Sequence, residues 1–399
     1  MKRPEIVVTA VARTPFGRFN GALKNLSGPE LAARTIDALL ERSSLPAEQV
    51  DAVYIGVGMI SSATLTPARQ AVLLSGLPER TPSMAVDRAC CSGMSAIGLG
   101  FKDLLAGGSS TVICGGSDNL SRTPLLWPRH RERAIGAVTV DDPLLLRAPM
   151  VDTAIAVYTA LEALRHGIDR HAQDQWALAS HQRYFAAEAA NYFAFERIAI
   201  ETTDARGQTM HVRHDESPRS DTTLEALGRL NTIYGSETIT PGNAPGLNDG
   251  AAFLLLTTGE RAREYGLPML ARILDYAQVA DGPSSGSYTP AIAIGKLLER
   301  RGLAPAGLDL IEINEAYAAT PLVSTLRLAG NDAALASRLR ERTNRHGGAV
   351  AIGHPLGASG ARVLMTLING LRRRGGGIGV AAICGGFGQG DALLIEACD

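Results

Sequence analysis

The most reactive side chains in this sequence are two adjacent cysteines just ahead of a helix-like segment. Cys90 and Cys91 precede Ser92, where the run SGMSAIGLGFKDLLAGG begins. A helix N-terminus carries partial positive charge, so we expect the thiolate of Cys90 to be favoured and to serve as a nucleophile. The alternative is a buried cysteine that packs as a small apolar residue, and we assign that to Cys91, Cys114 and Cys398.

A histidine lies in a glycine-rich loop near the end of the sequence. His354 stands between Gly353 and Pro355 in GGAVAIGHPLGASG, ahead of another helix-like segment. Such a loop can hold an imidazole rigidly and bring backbone N–H groups near a ligand. The alternative is a turn histidine with a solvated ring, and the local sequence does not decide between the two.

Two strand-like runs end in further candidates. Cys384 is followed by glycines at alternate positions from Gly386 to Gly390, which suit a hairpin whose backbone approaches a ligand closely. Asn314 and Glu315 end the other run, and sites of parallel sheets form at such strand ends. Asparagine also caps helices well, and that alternative explains the position without catalysis.

The scaffold that positions these residues is written twice in the sequence. Residues 39–56 resemble residues 297–314, and residues 111–119 resemble residues 380–388. Alternating strand-like and helix-like runs, with one helix at 28–43, predict a layered α/β fold.

The segment between the two copies differs in composition and holds one long helix-like stretch, residues 169–193. We therefore predict an N-terminal half at 1–120 completed by 241–267, an inserted loop domain at 121–240, and a C-terminal half at 268–399.

Composition excludes several classes of protein. The 399 residues are 45% apolar, with 39 Lys and Arg against 40 Asp and Glu, so nothing indicates a nucleic-acid partner. No apolar run is long enough to span a membrane, and no signal peptide is visible. Five cysteines in a long chain do not suggest a disulfide framework. We expect a cytoplasmic protein with reduced thiols.

Four motifs together carry a resemblance to a known family. They are DRACCSG around Cys90, NEAY from Asn314, GHPLGASG around His354 and CGGFGQG from Cys384. In this order and context the chain resembles the thiolases, the acyl-CoA acetyltransferases, over essentially its whole length. The resemblance implies a duplicated five-layer αβαβα fold with an inserted loop domain, and a two-step acyl exchange.

The resemblance also implies a role for each motif residue. Cys90 would be the acylated nucleophile, activated by His354. Cys384 would move a proton at the α-carbon of the second acyl-CoA. One oxyanion hole would combine His354 with a water held by Asn314, and the other would combine the backbone N–H groups of Cys90 and Gly386.

Substrate-binding residues follow from the same resemblance. The implied set is Arg219, Met150, Ala244, Pro245, Gly246 and Tyr317. Arg219, in DESPR, would lie near the phosphates of coenzyme A. Coenzyme A and acyl-CoA would be substrates, with no permanently bound cofactor and no metal, and the protein would be a homodimer or homotetramer.

The pocket motifs depart from the family pattern. Residues 150–156 read MVDTAIA where M-G-x-T-A-E-N is usual, Pro149 replaces a common histidine, and Pro245 replaces a serine that commonly contacts the pantetheine. Ile155 thus replaces a carboxylate, and it either widens an apolar pocket or packs inside the inserted domain. We expect a substrate other than acetoacetyl-CoA, bulkier or more polar at its acyl end.

Two alternatives stay open at this point. A decarboxylating ketoacyl synthase would use Cys-His-His or Cys-His-Asn, and the second cysteine of CGGFGQG opposes it. A thiolase-fold binding protein that has lost turnover is favoured by the altered coenzyme A loop and opposed by the intact motifs.

Overall fold

The structure is a computed structural model that describes residues 3–59, 65–127, 140–148, 150, 153–204 and 206–397. The positions Pro149, Val151, Asp152 and Cys398, named above, lie outside this range.

The strands of these residues are β1 Ile6–Arg13, β2 Gly17–Arg18, β3 Ala52–Gly56, β4 Ser83–Val86, β5 Thr111–Asn119, β6 Arg147–Ala148, β7 Thr153–Ala154, β8 Ile200–Thr203, β9 Thr209–Val212, β10 Asn248–Thr258, β11 Ala271–Ala280, β12 Leu310–Ile313, β13 Gly377–Gly385 and β14 Gln389–Ala397. The α-helices are α1 Gly28–Ser43, α2 Pro67–Leu74, α3 Ser92–Ala106, α4 Ile155–Arg165, α5 Arg170–Ala189, α6 Leu224–Gly228, α7 Gly259–Glu264, α8 Thr289–Arg301, α9 Ala319–Leu328, α10 Ala333–Glu341, α11 Ala349–Ile352 and α12 Leu356–Arg373.

The sequence repeat is a structural repeat. In the first copy α1, a 3-10 turn at 47–49 and β3 follow one another, and α8, a 3-10 turn at 305–307 and β12 do so in the second. Strand β3 pairs in parallel with β5, and β12 pairs in parallel with β13. Helices α3 and α12 each precede the second strand of their pair, so the chain segments that carry Cys90 and His354 are equivalent in the two copies.

The main sheet runs in the order β12-β13-β14-β11-β1-β10-β5-β3-β4, with β2 beside β10. Strand β10, from beyond the insertion, is antiparallel to both β1 and β5. A short contact joins the two halves of the sheet, where Val7 and Val8 of β1 face Arg272 and Ala271 of β11.

Three apolar layers separate helices from strands. The central layer holds α3 and α12, which pack against each other and against strands of both halves of the sheet. Helices α1 and α2 cover the outer face of the first half, and α8 and α10 cover that of the second. The arrangement is the expected five-layer αβαβα fold.

Buried ionic contacts attach the inserted segment to this core. Arg13 on β1 bonds to Glu196 at 2.7 Å and to Asp215 at 2.7 Å, and all three side chains are fully buried. Glu315, which follows β12, accepts hydrogen bonds from Trp176 and Ser180 of α5, each at 2.8 Å. Its carboxylate is therefore used for structure, and it holds the long helix against the strand end that carries Asn314.

Candidate active site

Cys90 lies in the tight turn that joins β4 to α3. Ala89 before it has a φ of 51°, a left-handed conformation that is uncommon for a residue with a side chain. The Oγ of Ser92 accepts a hydrogen bond from the backbone N–H of Arg88 at 2.8 Å, which closes the turn. Cys90 is half-buried and lines a cavity, whereas Cys91 is completely buried.

Burial acts against the thiolate of Cys90 that the sequence favours. Burial raises the pKa of Cys90, and the nearby Cys384 and Asp118 raise it further. The partial positive charge at a helix N-terminus acts in the opposite direction and falls off within one turn. Cys90 is therefore a neutral thiol that needs a base.

His354 has a fixed orientation. Its Nδ1 lies 2.6 Å from the Oγ of Ser359, which donates its own hydrogen to the carbonyl of Pro355 at 2.8 Å. The hydroxyl therefore accepts from Nδ1–H, and this leaves the lone pair on Nε2. The backbone N–H of His354 donates to Oδ1 of Asn248 at 3.1 Å, which anchors the loop to β10.

The imidazole is neutral as well. Burial lowers the pKa of His354 to about 3, and the buried guanidinium of Arg362, on the same helix as Ser359, adds to the shift. The ring is thus available as a base across the physiological pH range. The solvated turn histidine is excluded, because His354 is only 5% exposed.

Asn314 lies directly beside this ring. Its Nδ2 is 3.4 Å from Nε2 of His354, and its Oδ1 has no hydrogen-bond partner among the described residues although the side chain is fully buried. The helix-cap alternative fails, since α9 begins at Ala319 and not next to Asn314. A buried acceptor without a partner indicates a place for a water or a ligand atom.

Cys384 reaches the same site from the second copy of the repeat. It lies at the end of β13, is 6% exposed, and has a pKa raised by burial to about 12. The hairpin after it contains Phe387 and Gly388 with φ of 64° and 73°. A Cβ added to Gly386 would be 3.5 Å from the Cβ of Ala89, so this hairpin lies against the Cys90 turn.

Polar contacts lock the two turns together. The Nε of Arg88 donates to Oε1 of Gln389 at 2.9 Å, and Arg88 also forms a salt bridge with the buried Asp391. Gly385 has no room for a side chain, because a Cβ would lie 2.8 Å from the carbonyl oxygen of Arg88. These contacts therefore fix the position of the Cys90 turn relative to the Cys384 hairpin.

A cavity of about 130 Å³ opens next to Cys90 and His354. Ala244, Pro245, Gly246 and Tyr317 line it, as does Ile155 at the start of α4. The alternative that Ile155 only packs inside the inserted domain is therefore excluded.

A wider groove of about 410 Å³ shares Ala244, Gly246 and Leu247 with this cavity, and Arg219 lines it. Groove and cavity thus meet at the 244–247 loop. Met150 is 61% exposed and lines neither space.

Sequence reasoning missed two residues that hold the site in place. One is Ser359, the partner of His354, which stands inside the GHPLGASG motif. The other is Asp118, whose Oδ2 accepts from the backbone N–H groups of Gly58 at 3.0 Å and Gly357 at 2.6 Å. The hydroxyl in the first helical turn after His354 is a sequence feature from which the role of Ser359 could have been predicted. Asp118 had no such feature, because it lies in the first copy of the repeat and binds the backbone N–H of Gly357 in the second.

Among the described residues, no group of three or more His, Cys, Asp or Glu side chains is arranged to hold a metal ion. No helix in the described part of the chain is long and apolar enough to cross a membrane.

Family models match both halves of the chain. The thiolase N-terminal domain matches residues 6–260, and the thiolase C-terminal domain matches residues 267–397. An acetyl-CoA acetyltransferase of Pseudomonas aeruginosa is 37% identical over 98% of this chain and 99% of its own length. A beta-ketoadipyl-CoA thiolase of the same organism is 38% identical over the same shares.

Solved structures agree over the whole length. Human mitochondrial 3-ketoacyl-CoA thiolase superposes with a TM-score of 0.93 at 33% identity, covering 99% of both chains. The same human enzyme in complex with CoA gives a TM-score of 0.91 at 34% identity, covering 99% of this chain and 98% of that one.

Proposed function

The chain belongs to the thiolase family, and from this premise we propose that Cys90, His354 and Cys384 perform the acyl exchange in it. The protein is a thiolytic acyltransferase, which cleaves a 3-ketoacyl-CoA with coenzyme A or runs the reverse condensation. The observation that carries the assignment is the single cavity lined by Cys90 and His354, with Cys384 beside Cys90.

The first half-reaction forms an acyl-enzyme. Sγ of Cys90 attacks the C3 carbonyl carbon while its proton passes to Nε2 of His354. The C2–C3 bond breaks, C3 regains its carbonyl, and the electron pair left on C2 takes the proton of the Cys384 thiol. Acetyl-CoA leaves, and the remaining acyl group stays on Cys90 as a thioester. A neutral Cys90 and a neutral His354 are the correct starting forms for this step.

The second half-reaction restores all three groups. The thiol of coenzyme A gives its proton to the Cys384 thiolate and attacks the thioester carbonyl. The carbon–sulfur bond to Cys90 breaks, and the released thiolate regains the proton held by His354. The product is an acyl-CoA shorter by two carbons, and no proton is gained or lost over the cycle.

Negative charge develops on oxygen in both steps, and two sets of donors suit it. The backbone N–H groups of Cys90 and Gly386 belong to turns that pack against each other. Asn314 could hold a water next to His354, which supports the second set, because its Oδ1 is buried without a partner among the described residues.

Coenzyme A would occupy the groove that joins the cavity. Arg18 and Arg219 line the groove and are suited to phosphates. The 244–247 loop, which groove and cavity share, would contact the pantetheine arm, where Pro245 offers no hydroxyl. A binding protein without turnover would not need Cys384 beside Cys90, and neither would a ketoacyl synthase of the Cys-His-His type.

Labelling tests the assignment. The protein is incubated with an acyl-CoA, and the modified peptide is mapped by mass spectrometry. We expect the acyl group on Cys90 in the wild type and in Cys384→Ala, with thiolysis by Cys384→Ala slower by about 10²–10⁴-fold. Cys114→Ala, in the corresponding strand β5 of the first copy, is the control and should keep its activity. A label on Cys91 or Cys384, or a Cys384→Ala rate within a fewfold of wild type, would overturn the assignment.

A further inference from the structure

The cavity beside Cys90 and the groove that leads to it differ in the charge of their walls. Charged side chains line the groove, among them Arg18, Arg219 and Asp221. None of the described residues that line the cavity is charged. Its walls are mostly aliphatic and aromatic side chains, among them Leu145, Ile155, Tyr234 and Tyr317, around Cys90 and His354.

The rim of the cavity exposes large apolar side chains. Leu145, which precedes α4 in the sequence, is 44% exposed, and Tyr234, which follows α4, is 54% exposed. Ile155, the first residue of α4, lies half-buried in the wall. A ligand that covers Leu145, Tyr234 and Ile155 removes apolar surface from water, which favours a hydrocarbon group at this place.

Arg147 is a cation near the cavity, but it does not line the cavity. Arg147 lines a separate opening that shares Leu145, Ala154 and Tyr234 with the cavity, and Arg147 itself is exposed. A carboxylate at the end of an acyl chain would therefore meet no cationic side chain among the described residues that line the cavity, and burying its charge there is costly.

We propose that this enzyme prefers 3-ketoacyl-CoA substrates with an uncharged alkyl chain longer than that of acetoacetyl-CoA, held by Ile155, Leu145 and Tyr234. The inference rests on the proposed function, in which the acyl group stays on Cys90 after acetyl-CoA leaves. Its chain then extends from the Sγ of Cys90 into the cavity. Each methylene buried there should raise kcat/KM about fourfold until the cavity is full.

The test uses a matched pair of substrates. 3-Ketohexanoyl-CoA and 3-ketoadipyl-CoA have the same number of acyl carbons, and a terminal methyl group replaces a terminal carboxylate. We expect kcat/KM for thiolysis of 3-ketohexanoyl-CoA to exceed that of 3-ketoadipyl-CoA by at least about 100-fold and that of acetoacetyl-CoA by about tenfold.

If acetoacetyl-CoA or 3-ketoadipyl-CoA is the best substrate, the inference is overturned while the thiolase function stands. If no 3-ketoacyl-CoA is cleaved and Cys90 is never acylated, both fail.

Substitutions at Ile155 test whether this residue of the cavity wall sets the preference for an uncharged acyl chain. Ile155→Lys should raise the ratio of 3-ketoadipyl-CoA to 3-ketohexanoyl-CoA activity at least about tenfold, because it brings a cation to the carboxylate. Leu161→Lys is the matched control, since Leu161 lies on the same helix, is 40% exposed and does not line the cavity. Equal ratios in the two variants would overturn the role of Ile155.

A smaller change guards against misfolding of the lysine variant. Ile155→Ala should lower the ratio of 3-ketohexanoyl-CoA to acetoacetyl-CoA activity about fivefold to tenfold, because the longer chain loses its contact. An unchanged ratio would contradict the proposal.

Discussion

At the scale of single residues, the site keeps its nucleophile and its base neutral until a substrate arrives. Burial raises the pKa of Cys90 and lowers the pKa of His354 to about 3. Arg362 contributes to the second shift; it is 1% exposed and lies 3.9 Å from Glu312, whose pKa is raised by burial to about 8. In the proposed mechanism the pair therefore reacts by transfer of a proton from sulfur to nitrogen, not from a preformed thiolate.

This protonation state predicts an unusual pH dependence of alkylation. A lowered folded-state pKa means that His354 stays a base as the pH falls from 7 to 5. The neutral pair and its ion-pair tautomer carry the same number of protons, so their ratio does not change with pH. We expect the rate at which iodoacetamide modifies Cys90 to be constant between pH 5 and 8.

The matched variant for this measurement is His354→Asn. Without the base only thiolate formed by solvent reacts, so its rate should rise about tenfold per pH unit. A wild-type rate that titrates near pH 6.5 would show that His354 has an ordinary pKa and would refute the prediction.

At the scale of secondary-structure elements, the site depends on the close approach of α3 and α12. Both helices begin at the active site, one after Cys90 and the other after His354. A Cβ on Gly93 would lie 2.2 Å from the carbonyl oxygen of Gly357, and a Cβ on Gly357 would lie 2.5 Å from that of Gly56. Backbones this close fix the distance between the two helix starts, and therefore between nucleophile and base.

We predict that Gly93→Ala forces these helices apart. The added methyl group should destabilise the protein by about 2–3 kcal/mol and strongly lower kcat, because the clash is with backbone and cannot be relieved by a rotamer change. Urea unfolding and steady-state thiolysis measure the two effects. Gly295→Ala in α8 is the control: no atom lies within 4 Å of its added Cβ, and it should stabilise by about 0.5–1 kcal/mol.

At the scale of the whole molecule, the two edges of the main sheet differ. Strand β12 is covered, since Ile311 donates to the carbonyl of Arg342 and accepts from Asn344, each at 3.0 Å. At the other edge β4 exposes Met84 and Ala85. Among the described strands β4 pairs only with β3. A sheet edge of this kind favours pairing with another chain, so we expect the dimer or tetramer predicted from the sequence to form there.

Assembly can be tested at one backbone position. Val53 and Val57 donate to the carbonyls of Pro82 and Val86, so the backbone of Ala85 points away from β3. Ala85→Pro removes an outward N–H without breaking the ladder inside the chain. Light scattering should give two or four chains for the wild type and for Ala85→Val, and the 42.0 kDa monomer for Ala85→Pro. A monomeric wild type at micromolar concentration would rule out the assembly.

The sequence predicted the long elements well and the short ones poorly. The predicted helix 28–43 is α1 residue for residue, and the predicted stretch 169–193 contains α5. Helix α1 has an apolar face along its length, and Ser27 and Glu30 form a capping box at its start. Helix α5 begins after Asp169, whose side chain caps it. Strand β4 was missed, because its four residues lie at a sheet edge with two of them exposed and so show no buried run. Such a strand is specified by its partner β3.

Some features of the candidate site were likewise predictable from the sequence and others were not. The types and order of Cys90, Asn314, His354 and Cys384 followed from motifs, because each motif is a short stretch whose glycines and neighbours shape its own turn. The two-fold repeat and the family followed from the sequence for the same reason. Only the tertiary structure decided that burial raises the pKa of Cys90, that Ile155 faces the cavity and that none of the described residues lining the cavity is charged. The burial of a side chain and the electric field at it depend on segments that lie far apart in the sequence, so no local sequence pattern encodes them.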